Sequence, residues 1–336
     1  MDRYDRQMRV AEIGHSGQQK IKASRILIVG VGAIGSHVAD TLVRMGVEDI
    51  VLIDRDFVEL TNLQRQTLFT EEDVAERLPK AVAAKIHLKK INHHVAITAV
   101  VDELTEAWLT AQLTQNQRTF IFDCTDNFAV RRLINQVCLL HHIPWIFASC
   151  AGNFANVLPI VPGETACLTC LIGELPQVNE ASCELIGVNG ALLPMLAGIV
   201  TALFVRMIVD QTFKAGNYYQ LDAWHLSTTR FQVPKRTHCS TCGDGAKPQT
   251  AMFSDQPIVL CGRETVQFRL PDRQAADFQL LQQRLTAEKR PFRQNPYLIS
   301  FHYDDLTFSV FQNGRVLLHG TSDLHQAKKA YHYFFE

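Results

Sequence analysis

The sequence lacks an excess of charge of either sign. Its 336 residues include 33 Lys and Arg and 34 Asp and Glu, which gives a formal net charge of −1. The chain therefore has no basic field that could hold a polyanion non-specifically, and we expect no nucleic-acid partner. Hydrophobic residues make up 47% of the chain and charged residues 20%, so the composition excludes a disordered protein and allows a sizeable core.

The first 20 residues lack the apolar core of a signal peptide, and the sequence has no repeats or low-complexity tracts. We therefore expect a cytoplasmic protein. One run, residues 191–209, is almost continuously apolar, but it contains Pro194, Thr201 and Arg206 and has no flanking cationic anchors. We predict that this run is a buried helix and not a membrane span.

The first third of the chain has the pattern of a βαβ unit. Residues 25–29 are a β-branched run that stops at Gly30, a helical pattern extends from Gly35 to about Met45, and a second apolar run ends at Asp54. This order of strand, tight turn, helix and strand is typical of nucleotide-binding α/β domains.

Two later apolar runs, 119–122 and 145–148, predict buried parallel strands, and Pro79 predicts the start of a helix that reaches Lys90. We therefore predict a Rossmann-like, doubly wound α/β fold with a mostly parallel sheet.

The end of the chain has a different pattern of strand-like and helical segments. Residues 258–270 are strand-like, 273–289 and 323–335 are helical, and 296–318 alternate as strands around the hairpin signal Asn313-Gly314. We predict a small α+β domain at 257–336, separated by a linker at 246–256 from a nucleotide-binding domain at 1–245.

The sequence after the first predicted strand is G-x-G-x-x-G. Gly30, Gly32, Ala33 and Gly35 lie in this turn, where the backbone can approach a phosphate at a helix N-terminus. Asp54 lies 24 residues after Gly30, where an acid can bind ribose hydroxyls. This pattern indicates NAD about as strongly as ATP, and a tight turn without a ligand also remains open.

Two cations favour ATP over NAD. Arg65 and Lys80 follow the second strand, and a triphosphate needs fixed cations against its charge. From spacing alone, it is equally possible that Arg65 and Lys80 are solvated surface charges that bind no phosphate. Asp126, after the strand that ends at Phe122, could hold Mg²⁺ against the phosphates, or it could be a helix N-cap.

The nine cysteines include two C-x-x-C pairs. Cys167 and Cys170 form the first pair and Cys239 and Cys242 the second, a pattern that predicts a structural zinc ion held by four thiolates. Redox-active pairs are the alternative. Cys183 lies alone in polar sequence, where it is either a nucleophile or a packing residue.

Together with Arg3-Tyr4-Asp5-Arg6-Gln7, these motifs in this order resemble the ThiF/MoeB family of sulfur-carrier-protein adenylyltransferases, relatives of the ubiquitin-activating enzymes. The resemblance spans roughly Arg3 to Gly243. It implies a homodimeric enzyme with ATP, Mg²⁺ and a structural zinc. The implied reaction is adenylation of the C-terminal Gly-Gly carboxylate of a small β-grasp carrier protein for molybdopterin or thiazole synthesis.

The resemblance also implies a role for each site residue. The nucleotide loop includes Gly32 and Ala33, the ribose is held by Asp54, and Arg6 reaches into the partner subunit's active site. The triphosphate is contacted by Asn62 and Arg65, and its charge is neutralised by Lys80. Asp126, with Asn127 beside it, binds Mg²⁺ and positions the attacking carboxylate. Cys183 takes the place of a cysteine that some members of the family use for covalent chemistry.

Three other functions compete with this one. An NAD-dependent oxidoreductase would leave the cations and the zinc unexplained. A non-catalytic binding subunit would have no need of the four charged residues Arg6, Arg65, Lys80 and Asp126. A tRNA-modifying relative would be expected to have a more basic chain. The tail from about Gln256 resembles C-terminal extensions of Gram-positive bacterial members, and it could brace a dimer, cap the core or dock the carrier.

Overall fold

The computed structural model describes residues 3–113, 119–173, 186–246, 257–260, 264–270 and 274–335. The chain divides into two units, Met1–Ala251 and Met252–Glu336, each built around its own sheet. Of the linker predicted at 246–256, residues 247–256 lie outside the described residues.

Among its described residues, the first unit has eight strands. They are β1 (Arg25–Val29), β2 (Asp49–Ile53), β3 (Ala96–Val100), β4 (Thr119–Asp123), β5 (Trp145–Ala151), β6 (Phe154–Ile160), β7 (Asn217–Asp222) and β8 (Ser227–Gln232). Their order in the sheet is β3-β2-β1-β4-β5-β6-β7-β8. The pairs from β3 to β5 are parallel and those from β5 to β8 are antiparallel. This confirms the doubly wound, mostly parallel sheet.

The described helices of this unit are α1 (Asp5–Met8), α2 (Gly14–Lys22), α3 (Ala33–Met45), α4 (Glu71–Ala75), α5 (Lys80–Ile91), α6 (Glu106–Gln112), α7 (Phe128–His141), α8 (Leu168–Ile172) and α9 (Leu192–Val209), with a 3₁₀ turn at Leu60–Asn62. Helix α5 begins directly after Pro79, as predicted. The N-cap of α7 is Asn127, whose side chain accepts a hydrogen bond from the Val130 N–H; the alternative that Asp126 caps this helix is wrong.

The apolar run at 191–209 is confirmed as the core helix α9. It packs on α3 and β6, and the ring of its Phe204 meets Phe120 and Phe122 edge-on at centroid distances of 5.2 and 5.6 Å. Within the described part of the chain, α9 is the one helix long and apolar enough to cross a membrane. Half of it is buried in the first unit, as in the core helix of a globular domain.

The second unit has an antiparallel sheet and two helices in its described part, which confirms a small α+β fold. Its strands are β9 (Ile258–Leu260), β10 (Thr265–Arg269), β11 (Phe292–Gln294), β12 (Leu298–Tyr303), β13 (Leu306–Phe311) and β14 (Arg315–His319), in the order β11-β12-β13-β14-β10-β9. Its helices are α10 (Phe278–Ala287) and α11 (Leu324–Phe335).

The strand-like run 258–270 contains two strands, β9 and β10, which pair antiparallel. One detail of the second unit differs from the sequence prediction. Helix α10 starts at Phe278, later than the predicted 273, because Asp277 caps it by accepting a hydrogen bond from the Leu280 N–H at 3.0 Å. The predicted hairpin is confirmed, since Gly314, with φ +79°, lies in the turn between β13 and β14.

Candidate functional site

The parallel strands bring three chain segments to one edge of the sheet. Val29 at the end of β1 pairs with Ile53 of β2 on one side and with Asp123 of β4 on the other. The Gly30 N–H donates to the Ile53 carbonyl at 2.9 Å. Strand order reverses between β1 and β4, and such a switch point is where doubly wound sheets bind ligands.

The three glycines of the turn differ in what requires them. Gly30 has φ +85°, and a Cβ there would lie 2.8 Å from the Cys124 carbonyl oxygen. A Cβ on Gly35 would lie 2.0 Å from the Gly30 oxygen. A Cβ on Gly32 would meet only Gln66 Nε2, at an ordinary 3.7 Å. The fold therefore requires Gly30 and Gly35, whereas close approach of a ligand to the N-terminus of α3, which begins at Ala33, would explain Gly32.

Asp54 holds the glycine turn in place. Its Oδ2 accepts a hydrogen bond from the Val31 N–H and its Oδ1 one from the Asp56 N–H, both at 2.7 Å. Burial raises the pKa of Asp54 above its ordinary value, and the nearby charge of Lys80 acts in the opposite direction. Asp54 is thus positioned beside the turn, and its role toward a ribose stays a prediction.

Lys80 reaches the same edge because two segments pair beside β2. The Val58 N–H donates to the Leu78 carbonyl and the Lys80 N–H to the Asp56 carbonyl, both at 2.9 Å. The Lys80 ammonium lies 3.5 Å from Asp56 Oδ2, and the residue is 8% exposed. The alternative that Lys80 is a solvated surface charge therefore does not hold.

The charge of Lys80 is held by a group of carboxylates. Burial opposes the ammonium ion, but attraction by Asp56, Asp54, Glu59 and Asp126 outweighs burial and raises the pKa of Lys80 above its ordinary value. Asp56 contacts the ammonium directly, whereas Glu59 and Asp126 are exposed and act on it through their charge. Carboxylates therefore outnumber this one cation. An anionic ligand would thus need further cations here.

Arg55, next to Asp54, is a cation whose charge is already paired with acidic side chains. Its Nη1 donates to Glu103 Oε1 at 2.9 Å, and its Nε lies 3.9 Å from Asp56 Oδ1. Sequence reasoning missed this ion pair, because Arg55 and Glu103 are 48 positions apart and meet only when β2 and β3 pair.

The segment around Arg65 packs against the start of α3. Asn62 is buried, and its Oδ1 accepts a hydrogen bond from the Glu59 N–H at 3.0 Å, which closes the 3₁₀ turn. The Arg65 carbonyl lies 3.3 Å from His37 Nε2 on α3, while its guanidinium donates to the Thr61 carbonyl at 2.8 Å. Among the described residues Arg65 has no acidic partner in an ion pair, so its charge is available to an anion.

A buried ion pair supports the loop that follows β4. Asp123 is fully buried, and its Oδ1 accepts hydrogen bonds from the Thr125 N–H and hydroxyl at 3.1 and 2.7 Å. Arg131 on α7 lies 3.6 Å from Asp123 Oδ2 and donates to the Thr125 carbonyl at 2.5 Å. The loop carries the exposed Asp126 and the cap Asn127. Sequence reasoning missed Arg131, although its spacing of four from Asn127 indicates a shared helix face.

We call the edge of the sheet where the glycine turn, Lys80 and the loop after β4 meet the nucleotide edge, and Arg6 is not brought to this edge of its own chain. Its neighbours anchor α1 elsewhere: the Tyr4 hydroxyl accepts from Asn92 Nδ2 at 3.1 Å, and Gln7 Nε2 donates to the Met45 carbonyl at 2.9 Å. These contacts lie at the C-terminal ends of α5 and α3, whose N-terminal ends form the site. Helix α5 alone, with 12 residues, spans about 18 Å. Cys183 lies outside the described residues.

Four cysteine sulfurs converge at a separate place in the first unit. The Sγ atoms of Cys167, Cys170, Cys239 and Cys242 all lie within 4.8 Å of one another. Sγ–Sγ distances of 3.9, 3.6 and 3.5 Å join Cys167 to Cys170, Cys167 to Cys239 and Cys170 to Cys242. Tetrahedral zinc with Zn–S bonds of about 2.3 Å requires sulfurs about 3.8 Å apart. The cluster therefore fits zinc, and its two pairs form one site instead of two separate redox centres.

Backbone N–H groups favour a thiolate at Cys239, whereas burial raises the pKa of Cys242 in the same pair. Burial opposes ionisation of Cys239, but hydrogen bonds from the N–H groups of Cys242 and Thr241 outweigh it and, with the neighbouring thiols, lower the pKa of Cys239 to about 7. Metal binding requires deprotonated cysteines. The Cys239 thiol therefore loses its proton more readily than an ordinary cysteine, which favours binding of a metal cation.

Comparison with known proteins agrees with this arrangement. The model of the ThiF family matches residues 4–241. The chain is 36% identical over 332 residues to the sulfur carrier protein ThiS adenylyltransferase of Bacillus subtilis, with 98% of each chain covered. It is 32% identical over 248 residues to the molybdopterin-synthase adenylyltransferase of Escherichia coli, which covers 72% of this chain and 96% of that relative.

A solved structure agrees at the level of the fold. The crystal structure of MccB from Escherichia coli with ATP superposes with a TM-score of 0.61, covering 72% of this chain and 75% of that one. The two sequences are 22% identical, so this likeness concerns the fold alone.

The glycines provide a first prediction. We expect Gly35→Ala to destabilise the protein by about 1–3 kcal/mol or more, because its Cβ would overlap the Gly30 oxygen. Gly32→Ala should unfold within about 1 kcal/mol of the wild type but bind ATP at least about tenfold more weakly. Denaturant unfolding and calorimetric titration with ATP measure the two effects. Equal ATP binding by Gly32→Ala and wild type would show that the turn does not contact the nucleotide.

The cysteines provide a second prediction. We expect about one zinc ion per chain, and Cys239→Ser should lose it and lower Tm, because structural zinc contributes directly to the free energy of folding. Metal analysis and thermal unfolding test this, with Cys138→Ser, a buried cysteine outside the cluster, as the control. Protein that has all four thiols reduced and contains no zinc would contradict the assignment.

Proposed function

The chain belongs to the ThiF family, and we propose that it uses ATP to adenylate the C-terminal Gly-Gly carboxylate of a small β-grasp sulfur-carrier protein, with release of pyrophosphate. The observation that carries this proposal is the buried Lys80 ammonium among carboxylates at the edge where the glycine turn, Asp54 and the loop after β4 meet. Two of the chain's relatives support this proposal by their names, one a sulfur carrier protein ThiS adenylyltransferase and the other a molybdopterin-synthase adenylyltransferase.

The chemistry needs positioning and cations and no nucleophile from the enzyme. A carrier carboxylate oxygen attacks the α-phosphorus of ATP, the bond from that phosphorus to the bridging oxygen breaks, and pyrophosphate leaves with its negative charge. Fixed cations lower the barrier because they stabilise charge that develops on the leaving oxygens. Lys80 and Arg65 are the cations of this chain that we assign to the triphosphate, with Asn62 beside them.

The excess of negative charge around Lys80 supports a requirement for Mg²⁺. Carboxylate oxygens are the ligands this ion prefers, and Asp126 is exposed at the edge where the phosphates would lie. We assign the ion to Asp126, with Asn127 next to it. Bound there, Mg²⁺ would neutralise phosphate charge, while Asp54 holds the ribose beside the glycine turn.

Arg6 is assigned to the site of a second subunit. Its helix α1 is fixed at the end of α3 and α5 that lies away from the nucleotide edge, and its side chain is exposed. An arginine that does not reach its own site can contact a triphosphate only in the site of another molecule, and in a symmetric dimer each subunit would supply this group to the other. We therefore propose a homodimer in which each Arg6 completes the partner's site.

Among sulfur carriers, we propose one of the ThiS type, for thiazole synthesis. The ThiS relative aligns over 98% of this chain, including the second unit, whereas the molybdopterin-synthase relative aligns over 72%. A molybdopterin-type carrier is the other candidate. The role of the second unit stays a prediction. The same holds for a role of Cys183 in later sulfur transfer and for the cytoplasmic location.

The competing functions have less support. No relative described above is an NAD-dependent oxidoreductase, and a buried ammonium beside a separate arginine suits a triphosphate better than a nicotinamide. A binding subunit without catalysis would need neither Arg65 nor Asp126.

Pyrophosphate exchange tests the reaction. We expect labelled pyrophosphate to enter ATP only with a carrier that ends in a free Gly-Gly carboxylate, and faster with a ThiS-type than with a molybdopterin-type carrier. Deleting the carrier's last glycine should abolish exchange, since the attacking carboxylate is then misplaced. Exchange that is insensitive to this deletion would contradict the proposal.

Mixing variants tests the shared site. We expect Arg6→Ala and Lys80→Ala each to lose activity, and an equal mixture to recover about a quarter of it, because half of the dimers are mixed and one of their two sites is intact. Arg65→Ala replaces Lys80→Ala if unpaired carboxylates destabilise the latter. With subunit exchange verified by a tag on one partner, a mixture no more active than its parents would rule out Arg6 acting in trans.

A further inference from the structure

One face of α7 carries polar side chains that contact both functional regions of the first unit. At its N-terminal end, Asn127 caps the helix and Arg131 holds the loop after β4 through the Thr125 carbonyl and Asp123. Asn135 lies four residues beyond Arg131, and residues four apart lie on the same helix face. From Asn127 to Asn135 the helix spans about 12 Å.

Asn135 is bound to the first cysteine pair by both ends of its amide. The residue is 2% exposed, its Oδ1 accepts a hydrogen bond from the Leu168 N–H at 3.0 Å, and its Nδ2 donates to Thr169 Oγ1 at 3.2 Å. Leu168 and Thr169 are the two residues between Cys167 and Cys170. A buried amide with both ends paired fixes the position of this cysteine pair relative to α7.

A further hydrogen bond connects the first cysteine pair to the second. Both pairs have the sequence C-x-T-C, with Thr169 in the first and Thr241 in the second. The two threonine hydroxyls lie 2.8 Å apart and share a hydrogen bond. Asn135, Thr169 and Thr241 therefore form one hydrogen-bonded chain from α7 across the zinc-binding cluster.

We propose that this chain is a coupling device: through α7 it links the zinc-binding cysteines to the loop that carries Asp126 and Asn127. Asn135, Thr169 and Thr241 are positioning residues in this scheme, since they reach the nucleotide only through α7. Nucleotide that holds the loop then restrains the cysteine pairs and slows zinc release, and zinc loss weakens nucleotide binding. The proposal rests on ATP being the ligand of the nucleotide edge, as proposed above.

The effect of nucleotide on zinc affinity and the effect of zinc on nucleotide affinity must be equal in size. If bound nucleotide strengthens zinc binding by some factor, zinc strengthens nucleotide binding by the same factor, because both describe one coupling free energy. Measurement of both ligands on the same protein therefore tests the coupling.

Zinc release tests the coupling without any measurement of catalysis. The zinc-loaded full-length protein, with no carrier present, is mixed with a chromophoric zinc chelator, with and without ATP and excess Mg²⁺. We expect saturating ATP to slow zinc release about fivefold, which corresponds to the low end of ordinary coupling between sites when the rate of zinc binding is unchanged. In Asn135→Leu and in Thr241→Val, release should be faster and should no longer depend on ATP.

A matched control lies next to Asn135 on the same helix. The Oε1 atom of Gln136 is buried and has no hydrogen-bond partner among the described residues. Gln136→Leu should therefore keep the wild-type dependence of zinc release on ATP. Thr241→Val decides the test if Asn135→Leu fails to fold.

Binding of ATP is measured in parallel by equilibrium dialysis. Protein that does not bind ATP would overturn the proposed function. Protein that binds ATP with no change in zinc release, or variants that keep the full ATP effect, would overturn only the coupling. Loss of the effect in both variants, with its retention in Gln136→Leu, is the result that supports it.

Discussion

The nucleotide edge depends on one interaction, the attraction between the buried ammonium group of Lys80 and the carboxylates of Asp54, Asp56, Glu59 and Asp126. A buried ammonium without partners would lose its proton, and clustered carboxylates without a cation would repel one another. Each therefore requires the other. Pairing of the segments around Val58 and Lys80 beside β2 brings them together.

The excess of carboxylates at this edge is the reason that the proposed reaction calls for several cations. Arg55 is already paired with Glu103, so we assign Arg65, Arg6 of a second subunit and a divalent cation to the triphosphate. In this account the carboxylates prepare the site for Mg²⁺, the glycine turn accepts the phosphates, and α7 holds the loop that positions Asp126. Catalysis by positioning and charge needs no protein nucleophile, which agrees with a first reaction step in which Cys183 has no part.

Local patterns predicted much of this arrangement. The glycine turn, the strand that ends at Asp54, the two cysteine pairs and the core helix α9 each depend on residues that are close in sequence, and the structure places them as expected. Asn127 takes the cap because its own side chain reaches the Val130 N–H, a competition between neighbours that the pattern left open. The strand break within 258–270 likewise has no signal in hydrophobic periodicity.

The contacts that sequence reasoning missed join distant segments. Arg55 with Glu103, Asp123 with Arg131, Gln66 beside Gly32, and the threonines of the two cysteine pairs become neighbours only through sheet order and helix packing. Their residue types are ordinary in sequence, so no motif distinguishes them. They form the supporting layer beneath the residues that the motifs identified.

Transfer of label from ATP tests the central claim most directly. With ATP labelled at the α-phosphate, we expect label to become attached to the C-terminus of a ThiS-type carrier. ATP labelled at the γ-phosphate should leave the carrier unlabelled and release all of its label as pyrophosphate. Mass spectrometry of the trapped carrier would locate AMP on the terminal carboxylate. Label that comes from the γ-phosphate, or a carrier that stays unlabelled by α-labelled ATP although the enzyme binds both molecules, would contradict the central claim.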